Sequence, residues 1–179
     1  MSVWSELAEL GSATVYEAAG RRGLVDETFV QVVPESRAAG PARTVRCGQD
    51  DNLMVHAVMA SIEPGDVVVL TMPEPRPVAL VGELLATQAI ARGAAALLVD
   101  ASVRDVEELR AMAFPIWARW VRIRGATKTV VGAIGGPVVV GGCTIETGDA
   151  VVLDADGVAV VPKARIDEVL EASRSRAEK

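Results

Sequence analysis

Apolar positions along the chain fall into short runs of two periods, and the switches between them mark out the elements. Residues 2–22 read as helical: Trp4, Leu7, Ala8 and Leu10 recur at helical spacing, and Ser12 or Thr14 can cap a second helix through Tyr16, Glu17 and Ala18 to Gly20. Phe29 to Val33 reads as extended and stops at Pro34, and Ala38 to Cys47 reads as a strand entered through Gly40-Pro41. A helix is expected over 52–62, with Asp51 or Asn52 as its N-cap. Glu63-Pro64-Gly65-Asp66 then turns the chain into Val67-Val68-Val69-Leu70, an unbroken apolar run of the kind a strand covered on both faces requires.

Met72 to Pro77 holds three prolines and predicts a loop. Val81 to Arg92 predicts an alanine-rich helix opened by Gly82 and closed by Gly93. It feeds Ala94 to Asp100, a buried strand ending in an acid, with Ala101-Ser102-Val103 as the turn beyond. A helix over Val106 to Met112 ends before Phe114-Pro115. Strand-like pieces follow at 115–122, 137–145 and 150–161, and a polar helix runs from Ala164 to the end. Gly65-Asp66-Val67-Val68-Val69-Leu70 is echoed by Gly148-Asp149-Ala150-Val151-Val152-Leu153, one turn-to-strand solution used twice. Strand-helix-strand alternation followed by strands with turn signals predicts an α/β fold with a mixed sheet or two packed sheets. At 179 residues a single domain is expected.

Half the residues are hydrophobic but only 3% are aromatic, so the core has to be built from Val, Ala and Leu. Trp4, Trp117 and Trp120 are accordingly expected in the core or at a subunit contact. Charged residues make up 23%, and no apolar stretch approaches the ~20 residues needed to span a bilayer. A net charge of −6 gives no general attraction to nucleic acid or an anionic membrane. Cys47 and Cys143 are too few for a disulfide framework, and the N-terminus lacks the order of a secretory signal, so a cytoplasmic location is expected.

The same inventory narrows the chemistry. One histidine and two cysteines cannot furnish a conventional Cys/His zinc site, and His56 reads as a packed or half-exposed helix residue. Of the three lysines, Lys163 and Lys179 lie in a charged terminal region and Lys128 in a loop-like Arg-Gly-Ala-Thr-Lys, which argues against covalent lysine chemistry. Twenty-four carboxylates and an arginine-dominated basic set favour an oxygen-ligated divalent cation assisted by arginine. Gly82-Glu83-Leu84-Leu85 falls at a loop-to-helix junction, where unpaired N–H groups can cradle a carboxylate or phosphate. Arg104-Asp105 follows the next strand, at the sheet edge where open α/β folds place ligands. Asp105 can bind a hard cation and Arg104 an oxyanion, although Asp105 also suits a plain helix cap ahead of Val106-Glu107-Glu108. Arg119, Arg122 and Arg124 read as alternating along a strand and sharing a solvated or interface face. The alternative for them, and for Lys128, is contact with a substrate carboxylate. Gly135-Gly136 and Gly141-Gly142 read as turns flanking a short strand, and no glycine-rich loop suited to S-adenosylmethionine follows a first strand.

Several segments in unbroken order over residues 11–163 resemble one family. They are Thr14-Val15-Tyr16-Glu17-Ala18, the stretch from Gly48 through Asp51-Asn52 to His56-Ala57, Pro64-Gly65-Asp66-Val67, Gly82-Glu83-Leu84-Leu85-Ala86, Val99-Asp100-Ala101-Ser102-Val103-Arg104-Asp105 and Asp154-Ala155-Asp156-Gly157-Val158. That family comprises the pyruvate aldolases that cleave 4-hydroxy-4-methyl-2-oxoglutarate and 4-carboxy-4-hydroxy-2-oxoadipate. It is similar in fold to the regulator of ribonuclease E activity, a swivelling β/β/α-type arrangement of layered mixed sheets flanked by helices. The resemblance implies a trimer or a hexamer, with the site at a subunit interface. It also implies dependence on Mg²⁺ or Mn²⁺, and oxaloacetate decarboxylation as a side activity.

By position, Asp105 would be the metal ligand and Arg104 would contact the keto or enolate oxygen. Gly82 and the amides of Leu84 and Leu85 would hold the substrate carboxylate, and Glu17 would reach in from a neighbouring subunit. Glu83 stands where the family usually has an aspartate that orders metal-bound water, and is one methylene longer. None of Glu168, Glu171 or Glu178 registers on the acid the family can draw from a neighbour's C-terminal tail. The ribonuclease E regulators share the scaffold and act by protein contact, so a non-catalytic binding protein is the alternative. Those relatives generally lack the acid after the arginine.

Overall fold

A computed structural model describes residues 1–179. The chain opens with two short helices, α1 (Val3–Leu10) and α2 (Ser12–Ala18). Gly11, at φ +83°, holds the N-cap position of α2, so neither Ser12 nor Thr14 does. Ser12 instead gives both its amide and its hydroxyl to the Asp154 carboxylate, each at 2.7 Å. Then come β1 (Val30–Gln31), shorter than the extended run suggested, and β2 (Ala38–Arg46), followed by α3 (Leu53–Val58) and one 3₁₀ turn at Met59–Ser61. β3 (Val67–Thr71) and the proline loop lead to β4 (Ala79–Val81), which takes Val81 out of the expected helix; α4 (Glu83–Ala91) begins after Gly82.

β5 (Ala96–Val103) does not stop at Asp100: Ala101, Ser102 and Val103 continue the strand rather than turning. Asp100 is buried inside it and accepts from Arg119 Nε at 2.6 Å. α5 (Val106–Ala111), β6 (Ile116–Val121) and a two-residue strand absent from the sequence reading, β7 (Ala133–Ile134), come next. The last strand-like segments resolve into two hairpins, β8 (Val138–Val140) with β9 (Cys143–Ile145) and β10 (Ala150–Leu153) with β11 (Val158–Val161), before α6 (Ile166–Ala177). The expected glycine pairs flank β8 as turns.

Nine strands form one mixed sheet in the order β1-β6-β5-β3-β2-β10-β11, with β4 beside the end of β5 and β7 beside the end of β2. β2, β3, β5 and β6 run parallel, while β10 lies antiparallel to the first half of β2. Alternation along the strands sends successive residues to different cores. Val68, Leu70, Leu97 and Val99 join one apolar cluster, and Val67, Val69, Ala96 and Leu98 another on the opposite face. Trp117 is buried in the second, its Nε1 donating to the Asp154 carbonyl at 2.9 Å. A third cluster, with Leu7, Val15, Val152 and Val169, packs α1, α2 and α6 on the β10–β11 end.

The repeated hexapeptide is one solution in detail. Glu63 N donates to Asp66 Oδ2 and Glu146 N to Asp149 Oδ2, both at 2.8 Å, with Gly65 and Gly148 at φ +94° and +93°. The three arginines do not share a strand face. Arg119 is tied to Asp100 and Glu27, and Arg122 and Arg124 lie past the end of β6; an odd spacing from 119 to 122 puts side chains on opposite sides of a strand. No helix is long and apolar enough to cross a membrane.

Candidate active site

β4 and β5 run parallel and side by side, so their carboxyl ends and the helices they feed meet at one corner. Arg104 N donates to the Val81 carbonyl at 3.1 Å, which seats Arg104-Asp105 directly against Gly82. Asp105 holds the N-cap position of α5 with φ +60° and ψ +43°, a left-handed conformation that Asp tolerates better than most side chains. Its carboxylate does not cap α5, as the simpler reading of the sequence would have it. Oδ2 turns instead to α4 and accepts the Glu83 amide at 2.9 Å.

A Cβ at position 82 would lie 2.4 Å from Asp105 Oδ2, so any residue but glycine there must push the carboxylate from its place. With the first amide of α4 taken by Asp105, the amides of Leu84 and Leu85 have no acceptor within the chain, as expected of a first helical turn. The Arg104 side chain forms no ion pair, and the bare backbone of Gly125 lies beside it: a Cβ there would approach Nη1 to 3.2 Å.

Gly82, Leu84, Leu85, Arg104 and Asp105 therefore line a single cavity of about 220 Å³. Two predicted residues do not join it. The Glu83 side chain is exposed and off the cavity wall, only its backbone taking part. Glu17, on α2, pairs with Arg21 at 3.2 Å and Arg176 at 3.6 Å and lines no part of the cavity. A larger depression of about 390 Å³ exposes Asp26, Glu27 and Asp156 and no cation, which suits it poorly to a carboxylate ligand. Nowhere do three or more His, Cys, Asp or Glu side chains converge as a metal site.

The rest of the wall comes from Asn52, His56, Ala79, Val81 and the loop bearing Gly125, Ala126 and Lys128. Sequence reasoning assigned Asn52 and His56 to a helix start and a packed helix and gave Lys128 no firm role. The pairing that joins them runs through Asp51, whose partners lie some 76 residues away along the chain. Asp51 is fully buried and accepts from the Leu53 amide, the Thr127 hydroxyl and the amides of Thr129 and Val130, at 2.6–3.1 Å. Burial alone would push its carboxyl up, but these four donors outweigh it and hold the group at about 2. Burial, with the nearby Lys128 ammonium, lowers His56 and favours its neutral imidazole. Asn52 Oδ1 and His56 Nε2 are buried without partners.

A carboxyl depressed on folding contributes stability above its unfolded value near 4 and loses it as pH falls towards 2. Urea unfolding of the native protein is expected to show roughly 2 kcal/mol disappearing over that interval on account of Asp51. Asp51→Asn should lack that part of the pH dependence while being less stable at pH 7; an unchanged profile would show the clamp carries no charge.

A family model described as RraA-like, Aldolase/RraA, matches residues 12–160. A curated Halalkalibacterium halodurans protein named "Putative 4-hydroxy-4-methyl-2-oxoglutarate aldolase" is 37% identical over 140 residues, 78% of this chain and 67% of that protein. Among solved structures, Streptomyces coelicolor RraAS2, described as an unusual member of the RNase ES inhibitor RraA protein family, aligns with a TM-score of 0.86. That alignment covers 98% of this chain and 92% of the other at 26% identity. A Geobacillus kaustophilus structure described as S-adenosylmethionine: 2-dimethylmenaquinone methyltransferase aligns at 0.72, covering 77% and 85% at 32% identity. The layered mixed-sheet α/β fold expected from the sequence is the one this chain shares with RraAS2.

Proposed function

The chain belongs to the RraA-like Aldolase/RraA family, and from that premise we propose that it is a divalent-metal-dependent pyruvate aldolase. Its substrate is a 4-hydroxy-2-oxo di- or tricarboxylic acid, such as 4-hydroxy-4-methyl-2-oxoglutarate or 4-carboxy-4-hydroxy-2-oxoadipate, cleaved to pyruvate and a second oxo acid. The observation that supports this best is the corner itself. One carboxylate and one unpaired guanidinium share a cavity with two free helix-start amides.

The residues present fit Mg²⁺ or Mn²⁺. Asp105 offers a hard oxygen ligand whose position the bare backbone of Gly82 leaves undisturbed, and such ions take their remaining ligands from water and substrate rather than an all-protein cage. When bound, the cation supplies Lewis-acid polarisation of the 2-oxo group. The Leu84 and Leu85 amides hold the substrate's C1 carboxylate at the positive end of α4. Arg104 faces the C2 oxygen, where negative charge collects as the C3–C4 bond breaks and its electron pair moves into the pyruvate enolate. Removal of the C4 hydroxyl proton falls to a water, held by Glu17 of a neighbouring copy or by Glu83 once its exposed side chain swings in from off the cavity wall. C3 then takes up a proton and pyruvate leaves. Loss of carbon dioxide from oxaloacetate generates the same enolate, so one site serves both activities.

A trimer or hexamer accords with two features. Glu17 lies off the cavity of its own chain, and Val121, Ile123, Val130 and Val131, beside and beyond the cavity loop, are exposed apolar residues with Ile123 at 90%. Resemblance to RraAS2 supplies the second reading, a regulator that acts by protein contact. Asp105, turned into the cavity rather than onto its own helix, favours the enzyme.

An assay of pyruvate release separates the two. With Mg²⁺ or Mn²⁺, a panel of 4-hydroxy-2-oxo acids and oxaloacetate is expected to yield pyruvate, and a chelator should abolish the yield. Absence of pyruvate from every substrate, with either metal, would leave the regulator.

A further inference from the structure

One stretch of cavity wall takes no part in gripping the pyruvate unit. Asp51 binds the chain on both sides of Lys128, through Thr127 Oγ1 at 2.7 Å and the amides of Thr129 and Val130 at 2.6 and 3.1 Å. Backbone pairs brace the same loop, Asn52 N to the Thr127 carbonyl at 2.8 Å and Thr127 N to the Asp50 carbonyl at 3.0 Å. A fully buried carboxylate is costly unless every donor it meets is well placed, and the loop it fixes presents a cation. Lys128 lines the cavity with Arg104, and no carboxylate of the chain lies within salt-bridge distance of it.

Asn52 gives a second and independent sign of a ligand. It is 8% exposed, its Nδ2 donates to the Leu80 carbonyl at 3.1 Å, and its Oδ1 is left buried on the same wall without a donor. A free cation and a free acceptor on one wall complement a ligand carbon bearing both an anion and a hydroxyl. Carbon 4 of 4-hydroxy-4-methyl-2-oxoglutarate bears both, whereas pyruvate has neither beyond its own carboxylate. We propose that Lys128, on the loop clamped by Asp51, binds the carboxylate carried on C4 and so selects 4-hydroxy-2-oxo diacids over monocarboxylic keto acids. This rests on the aldolase reading for the placing of the pyruvate half at Arg104, and it adds the residue that recognises the other half.

The test compares binding of pyruvate and of 2-oxoglutarate, the same diacid skeleton without the reacting hydroxyl, by calorimetry in the presence of Mg²⁺. In Lys128→Met, which keeps the length of the stem on an exposed residue, the 2-oxoglutarate Kd is expected to rise 10- to 100-fold, the size of a hydrogen bond to a charged group. The pyruvate Kd should stay within about twofold, and Lys128→Arg should restore most of the difference. Equal losses for both keto acids, or no loss for either, would overturn the assignment. If the native protein binds neither, the subsite and the proposed function fall together. A binding split in a protein that releases no pyruvate would remove the aldolase reading and leave the subsite standing.

Discussion

Arg104→Ala is expected to lower the turnover of pyruvate-forming cleavage by 100- to 1000-fold. A preorganised donor aimed at developing oxyanion charge contributes roughly 3–4 kcal/mol to the transition state once bound substrate shields it from water. The Arg104 backbone is fixed by its link to Val81, the bare backbone of Gly125 leaves the guanidinium room in the cavity, and no acid of the chain neutralises it. Because the side chain is exposed and unpaired, stability should change by no more than about 0.5 kcal/mol. The loss should therefore appear in kcat with an unaltered melting temperature. Arg104→Lys should recover little, since an ammonium cannot present the planar fork. Steady-state rates on 4-hydroxy-4-methyl-2-oxoglutarate decide it, and near-native turnover in the alanine variant would refute the role.

The second large effect is expected at Asp105. Alanine there removes the proposed metal ligand together with the acceptor of the Glu83 amide, so activity should vanish and about 1 kcal/mol of stability go with the lost cap. Asp105→Asn separates the two losses. Asparagine tolerates the left-handed backbone and can still accept from Glu83 N, but brings no charge to a cation. It should fold as well as the native protein and show no metal-dependent pyruvate release. Gly82→Ala is the complementary probe: its Cβ must displace Asp105 Oδ2 from 2.4 Å, so the metal concentration for half-maximal activity should rise at little cost in stability. Metal titrations of the three variants make the comparison, and native behaviour of Asp105→Asn would take the cation out of the scheme.

What could be seen in the sequence was whatever is written locally. The apolar runs at 67–70 and 94–100 located β3 and β5, and the repeated Gly-Asp turns located the starts of β3 and β10, while the carboxylate that closes each turn came only with the structure. Gly82, Leu84 and Leu85 were legible as a glycine at a helix start, and Arg104 and Asp105 as the pair that follows the next strand. The extension of β5 through Ser102 was not, since it depends on pairing with β4, a three-residue strand with no periodicity of its own. Arg119 was misplaced because its partners, Asp100 and Glu27, are set by sheet order rather than by spacing. The Asn52, His56 and Lys128 wall was missed for the same reason. Asp51 looks like a helix cap, and it does accept the Leu53 amide, but three of its four bonds go to a loop that no local pattern connects to it.

The backbone at Asp105 bears on folding as well as on chemistry. Glycine would occupy φ +60° without the steric cost, roughly 1 kcal/mol, that a side chain bears there. Glycine there would also give up the acceptor of the Glu83 amide, about 1 kcal/mol, so the two effects nearly cancel and stability alone holds neither residue at the position. A copy of this scaffold released from catalysis is accordingly expected to drift at position 105, taking asparagine or glycine there with little change in stability.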